Sequence, residues 1–252
     1  MTAYLSIENL TVKFGGLTAV NNLSFDIEQG RIHALIGPNG AGKSTTFNCV
    51  SRYYNPSAGR IVFEGQDITQ LHPHHMAGLG IARTFQNLEL FGELSVRENV
   101  LLGSYSHSAR SLRGLLRRPT AENIEFAEYL LQRVGLIDFA DAQANNLDFG
   151  RQKMLELARA LAIRPRLLLL DEPAAGLRNR EIDTLDHLLV ELCAKDGITV
   201  LLVEHVMQLV MSISHAITVM SFGEKIAQGA PSDIRANPQV IEAYLGKGGS
   251  HE

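Results

Sequence analysis

The chain is poor in cysteine, in long apolar runs and in surplus positive charge. Only two cysteines occur among 252 residues, Cys49 and Cys193, each in an apolar helical stretch. That excludes a disulfide framework and a cysteine-built zinc site, and predicts reduced core thiols in a reducing compartment. Apolar runs such as Ile198 to Val203 last about one strand, against the ~20 residues a bilayer requires. The opening MTAYLSIENL carries Glu8 and no basic-then-apolar leader, so no secretion signal is expected. With 23 Lys and Arg against 27 Asp and Glu, the net charge is −4 and nucleic acid is not an expected partner. No internal repeat, low-complexity tract or long heptad run is present. What remains, at 45% hydrophobic residues, suits one soluble domain, or one domain carrying a lobe.

The apolar pattern alternates strands and helices. Tyr4 to Leu10 and Ala19 to Ile27 read as strands, and Ile32 to Ile36 as a buried strand ending in glycine. Gly42 to Ser51 reads as a helix, followed by strand candidates at Arg60 to Phe63 and Ala82 to Phe85. From Ser95 to Ala162 the spacing turns helical, interrupted by a polar, basic stretch from Ser104 to Pro119 with Arg110, Arg113, Arg117 and Arg118. That stretch is either a solvated loop or a patch facing lipid headgroups or a membrane partner. Alternation then returns: strand Leu167 to Leu170, helix Arg180 to Cys193, strand Ile198 to Val203, helix His205 to Met211, strand Ala216 to Met220 and a hairpin to Gln228. Such alternation predicts an α/β fold with a mainly parallel sheet covered on both faces.

Gly37-Pro38-Asn39-Gly40-Ala41-Gly42-Lys43-Ser44-Thr45 follows a strand and opens a helix. Its glycines let backbone N–H groups converge on phosphate oxygens, Lys43 adds charge, and the Ser44 hydroxyl can ligate Mg2+. The helix dipole favours the same anion. Asp171 and Glu172 end an apolar strand, where Asp171 is assigned to the metal shell and Glu172 to a general base aimed at water. Gln86 and His205 also fall at strand ends. A glutamine amide there can touch both Mg2+ and the attacking water, and a histidine can contact the γ-phosphate and steady the base.

Taken in order, Gly37 to Thr45, Gln86, the helix start NLDFGRQ, LLLLDEP and His205 resemble the ATP-binding subunit of an ABC transporter over essentially the whole chain. The resemblance implies a single P-loop NTPase (RecA-like) α/β domain with an N-terminal antiparallel β subdomain. Residues 1–86 and 164–252 would form its catalytic core, and about 87–163 an inserted α-helical subdomain. It also implies a head-to-tail dimer that sandwiches two ATP molecules with Mg2+, with Phe14 placed to stack on adenine.

In that family the helix start, usually Leu-Ser-Gly-Gly-Gln, crosses the dimer to the partner's γ-phosphate. Here Asp148, Phe149, Gly150, Arg151 and Gln152 occupy it, with Asp148 in the serine position. A carboxylate ~4 Å from one phosphate charge costs roughly 4 kcal/mol at an effective dielectric near 20. Two readings follow. Asp148 either caps its own helix and is neutralised by Arg151, or it makes the partner's ATP turn over slowly. Arg178, where the family's dimer loop usually ends in Asp, alters charge at a second place expected to face the partner, which suits a heterodimer.

DEPAAGL, Gln86-Asn87-Leu88, the basic GLLRRP segment and the ending EAYLG are similar to branched-chain amino acid importers, in particular the longer of their two ATPase subunits. The resemblance implies a second ATPase subunit, two transmembrane permease subunits and a periplasmic solute-binding protein. It places the chain peripherally on the cytoplasmic face of the bacterial inner membrane. Urea or another small organic solute is the alternative cargo, and a soluble ABC ATPase the alternative class. Leu88, Leu90, Phe91 and Leu94 either form a groove for a membrane subunit's helix or pack the helical lobe on the core.

Overall fold

The computed structural model describes residues 3–85, 88–108 and 119–245. Gln86, Arg110, Arg113, Arg117 and Arg118 lie outside the described residues. Strands β1 (Leu5–Phe14) and β2 (Leu17–Ile27) pair antiparallel from Leu5 opposite Ile27 to Phe14 opposite Leu17. On β1 the buried residues Leu5, Ile7, Leu10 and Val12 share one face, as a two-residue side-chain period requires. With β4 (Ala58–Phe63) and β5 (Gln66–Asp67) these strands make a four-stranded sheet in the order β2-β1-β4-β5.

The second sheet holds the site. Its order is β10-β9-β3-β8-β7-β6, built from β3 (Ile32–Ile36), β6 (Ile81–Arg83), β7 (Leu167–Asp171), β8 (Thr199–Val203), β9 (Ala216–Ser221) and β10 (Glu224–Gly229). All pairings are parallel except β9 with β10. Strands β3, β7 and β8 are buried along their whole length. Alternation splits their side chains between two cores. Leu168, Leu170, Val200 and Leu202 pack with the helical side, while Leu167, Leu169, Leu201 and Val203 pack with the antiparallel sheet and Phe47.

Helix α1 (Lys43–Val50) follows β3, and α2 (Val96–Ser108), α3 (Ala121–Arg133) and α4 (Phe149–Leu161) lie between β6 and β7 in sequence. Thr120 caps α3 by accepting from the Asn123 N–H at 3.2 Å. Helices α5 (Asn179–Asp196), α6 (Met207–Ile213), α7 (Pro231–Ala236) and α8 (Pro238–Leu245) complete the chain. Both cysteines are free and buried, and burial pushes the Cys49 thiol up to about 11 and the Cys193 thiol to about 12.

Several element boundaries differ from the sequence expectation, β1 running on to Phe14 rather than stopping at Leu10, and two of the differences have a visible cause. Strand β6 ends at Arg83 rather than Phe85 because the Phe85 N–H leaves the sheet for the Glu156 carboxylate, 3.0 Å away on α4. The helix expected from His205 begins at Met207 instead. The Glu204 carboxylate accepts from the N–H groups of His205 at 2.6 Å and Val206 at 3.0 Å, and so satisfies the donors ahead of the helix.

His33, on β3, is 2% exposed, stacks on Phe25 and contacts the Thr218 hydroxyl at 2.9 Å. Burial, with a smaller contribution from the Lys225 charge, lowers its pKa from 6.5 to about 4. The unfolded chain binds this proton more tightly, so the contribution is complete above pH 6.5 and is lost as pH falls toward about 4. At roughly 1.4 kcal/mol per pH unit, His33 accounts for about 3 kcal/mol of acid destabilisation. Urea unfolding of wild type and His33→Gln at pH 7.5 and at about pH 4.5 should show the stability difference between them shrinking with acid.

Candidate functional site

The buried strands β3, β7 and β8 deliver three sequence-predicted groups to one edge of the sheet. Beyond β3 the chain turns through Gly37 to Gly42 into α1. Two of these glycines admit no side chain: a Cβ on Gly37, at φ +151°, would sit 2.1 Å from the Met220 carbonyl oxygen, and one on Gly42, at φ +98°, 2.6 Å from that of Ala19. Asn39, Gly40, Ala41, Gly42, Lys43, Ser44 and Thr45 line a cleft of about 700 Å3, and Pro38 borders the cavity beside it. Lys43 is 5% exposed, and its ammonium donates to the carbonyls of Gly37 at 2.7 Å and Pro38 at 3.0 Å. Burial lowers its pKa, and Glu172 and Asp171 act in the opposite direction. The site therefore holds a desolvated cation whose hydrogen bonds go to neutral carbonyls, an arrangement an anionic ligand improves.

Asp171 ends β7. One carboxylate oxygen takes the Arg83 guanidinium at 2.9 Å, while the other, Oδ1, is buried and has no hydrogen-bond partner among the described residues. Burial raises the Asp171 pKa against the opposing pull of Arg83. An orphaned buried carboxylate oxygen fits a hard divalent cation, as does the exposed hydroxyl of Ser44 at the start of α1. Among the described residues no group of three or more His, Cys, Asp or Glu could hold a metal on its own. A cation with one or two protein oxygens and the rest from phosphate and water, the habit of Mg2+, is the kind that fits.

Glu172 lines the cleft with a left-handed backbone, φ 50°, and its N–H bonds to the Val203 carbonyl at 2.8 Å. That conformation turns its side chain away from the direction Asp171 takes. Glu172 Oε1 meets His205 Nε2 at 3.0 Å, with the two side chains 18% and 40% exposed. A carboxylate oriented by an imidazole at the mouth of a phosphate-sized cleft can take a proton from water. Gln86 lies outside the described residues. Its neighbour Phe85 is anchored to Glu156, whose pKa burial raises. Phe14 is 47% exposed at the end of β1, edge-on to Tyr54 with ring centroids 5.4 Å apart. The residues of that region that line the cleft are Leu17, Thr18 and Ala19.

Comparison with known proteins places this geometry in a family. A family model described as ABC transporter matches residues 20–175. A second, described as branched-chain amino acid ATP-binding cassette transporter, matches 224–250. The high-affinity branched-chain amino acid transport ATP-binding protein BraF of Pseudomonas aeruginosa is 45% identical over 249 residues, 96% of this chain and 98% of that protein. The chain belongs to the ABC transporter family. It is an ATPase cassette of that family. A crystal structure of the ADP conformation of an ABC transporter cassette aligns with TM-score 0.87 and 32% identity, covering 98% of this chain and 100% of that one. A dimeric cassette in a post-hydrolysis state, bound to ADP and Pi, aligns with TM-score 0.78 and 25% identity, covering 90% and 98%.

In this cassette the residues Asp148 to Gln152 do not line the phosphate cleft of their own chain. Asp148 is the N-cap of α4: one oxygen accepts from the Arg151 N–H at 2.9 Å and the other from its guanidinium at 2.8 Å. Arg151 also lies over the Phe139 ring at 4.5 Å. Phe149 packs on Gly176, where a Cβ would come within 2.7 Å of its ring, and Gly150 lies under the Glu181 carboxylate. Gln152 donates to the Ala144 carbonyl at 3.2 Å. Both the capping and the neutralisation of Asp148 are present in the structure. Of the apolar residues after Gln86, Leu90 packs against the core, whereas Phe91 is 55% exposed beneath the Arg159 guanidinium.

Three residues of the site escaped the motif reading. Arg83 joins Asp171 to Asn48 and Ser51, among the rings of Phe47, Tyr53 and Phe85. Glu204, 1% exposed, holds the N–H groups of Ala174 and His205 and so links the strand ends that carry Glu172 and His205. Glu156 ties the end of β6 to α4. Arg83 and Glu204 were visible only as single charges at the ends of apolar runs, and Glu156 as an acid on a helix's apolar face.

Serine caps a helix about as well as aspartate, so Asp148→Ser isolates the charge. Since Arg151 already neutralises it, Asp148→Ser in the assembled transporter should change ATPase activity by less than about twofold, and Arg151→Gln should lower it by more, measured as steady-state phosphate release. A several-fold rise in Asp148→Ser would show instead that the carboxylate retards its partner's site.

Proposed function

We propose that this ATPase powers uptake of branched-chain amino acids, or of a closely related small solute, as one of two different cassettes beneath a pair of transmembrane permease subunits. The observation that carries the reading is the match over 224–250, outside the common cassette, together with 45% identity to a branched-chain amino acid transport protein over nearly the whole chain. A periplasmic solute-binding protein would supply the cargo. Among the described residues no helix is long and apolar enough to cross a membrane, so contact with the bilayer's cytoplasmic face would run through the permeases.

In this reading ATP takes the cleft, and Lys43 leaves the carbonyls of Gly37 and Pro38 for the phosphates. Ser44, Asp171 and Gln86 would hold Mg2+, which supplies charge stabilisation on the phosphate oxygens. Glu172 accepts the proton of the attacking water, and His205, 3.0 Å from it, fixes the carboxylate's direction and faces the phosphate end. Phe14 stands at the nucleoside end. The segment from Asp148 to Gln152 serves the nucleotide of the opposite cassette, which accounts for its distance from its own. Arg178, expected to face the partner where the family's loop usually ends in Asp, favours pairing with a non-identical subunit.

Isolation of the protein from its native membrane tests the assignment. A second ATPase and two integral membrane proteins should accompany it, and ATPase activity of the reconstituted complex should rise with a leucine-loaded binding protein. Copurification with soluble proteins alone, or stimulation by urea and not by leucine, would contradict it.

A further inference from the structure

Beside the phosphate cleft lies a residue that the cassette's known parts do not explain. Phe222 occupies the tip of the β9–β10 hairpin, is 94% exposed, and has φ 47°, a left-handed conformation unusual for a bulky side chain. It belongs to none of the apolar cores among the described residues.

The surrounding structure fixes it there. The Gly223 N–H donates to the Ala41 carbonyl of the phosphate loop at 3.1 Å, and the Gly223 carbonyl accepts from the Asn21 N–H at 2.8 Å. The Asn21 amide donates in turn to the Glu224 carboxylate at 2.7 Å. At Gly223 a Cβ would lie 2.9 Å from the Ala19 carbonyl oxygen, so the turn is pressed against β2. A strained turn clamped between the phosphate loop and β2 thus carries a phenylalanine into the lining of the cleft. Leu17, 67% exposed, lines the same cleft with Thr18 and Ala19. Phosphates bound by backbone N–H groups and Lys43 occupy the loop end, which leaves Leu17 and Phe222 as the large apolar groups of the lining. The remaining part of a nucleotide, a flat purine on a ribose, has the apolar face that an aromatic ring takes.

We propose that Phe222 is a nucleoside-contacting residue, closing over the base and ribose of bound ATP with Leu17 beside it. It joins Phe14, which pairs with Leu17 at the end of β1 and is proposed above for the nucleoside, as a second aromatic. The proposal rests on the reading of this cleft as the ATP site, and the test separates the two.

Binding of ATP and of inorganic tripolyphosphate to the full chain is measured by titration calorimetry for wild type, Phe222→Asn, Phe222→Trp and Lys43→Ala. Asparagine accepts the left-handed backbone, so the hairpin is kept. Phe222→Asn should weaken ATP about tenfold and leave tripolyphosphate within about twofold, and Phe222→Trp should restore ATP. Unchanged ATP affinity in Phe222→Asn overturns the proposal, as does equal weakening of both ligands, which would mark a purely structural effect on the loop. Lys43→Ala should weaken both ligands. If it weakens neither, the cleft assignment itself falls.

Discussion

Three parallel strands, each buried along its length, end at one edge of a sheet, and this constraint organises the molecule. Strands β3, β7 and β8 have no solvent face, so their charged groups stand only where the strands stop, and the polar His33 inside β3 is paired with the Thr218 hydroxyl. At those stops stand the phosphate loop, the pair Asp171–Glu172 and the pair Glu204–His205. The pairing register sets Asp171 opposite Val203, which places Glu172 and His205 close enough to meet at 3.0 Å. A change in the length of β7 or β8 would shift that register and separate the two side chains.

The cost of the arrangement is a set of charges in a poorly solvated place. Among the described residues Lys43 is desolvated with its hydrogen bonds going to carbonyls, and Asp171 has one oxygen paired with Arg83 and one without a hydrogen-bond partner. In the proposed reading a triphosphate and a divalent cation would meet both deficits together, so ligand affinity would come from groups the fold leaves incompletely satisfied. The helix start at Asp148 shows the opposite design. There the Asp148 carboxylate accepts from the Arg151 N–H, and the Arg151 guanidinium offsets its negative charge, within the same chain. One chain thus presents a cleft in want of an anion and, elsewhere, a helix end already supplied with one.

Much of this was legible in the sequence, for identifiable reasons. Leu167 to Leu170 and Val200 to Val203 are unbroken apolar runs because both faces of the strand are covered, and such runs announce that a following charge is functional. The glycines at Gly37 and Gly42 reflect close backbone neighbours: an added Cβ would lie 2.1 Å from the Met220 carbonyl oxygen and 2.6 Å from that of Ala19. Less legible were residues whose roles depend on tertiary contact. Arg83 and Asp171 are far apart in sequence, as are Phe85 and Glu156, and no local pattern links either pair. The helix boundary at Met207 was not legible because Glu204, just past the strand expected at Ile198 to Val203, accepts the hydrogen bonds that precede the helix. Phe222 looked like an ordinary hairpin residue until its exposure and its backbone angle were seen together.

The central claim is that Glu172, oriented by His205 at the edge of the sheet, accepts the proton when ATP is split. The most direct measurement is single-turnover ATP hydrolysis by the assembled complex carrying Glu172→Gln, which keeps shape and removes the base. The account predicts intact ATP binding with the chemical step slowed by about 10²-fold or more. Hydrolysis at the wild-type rate would contradict it.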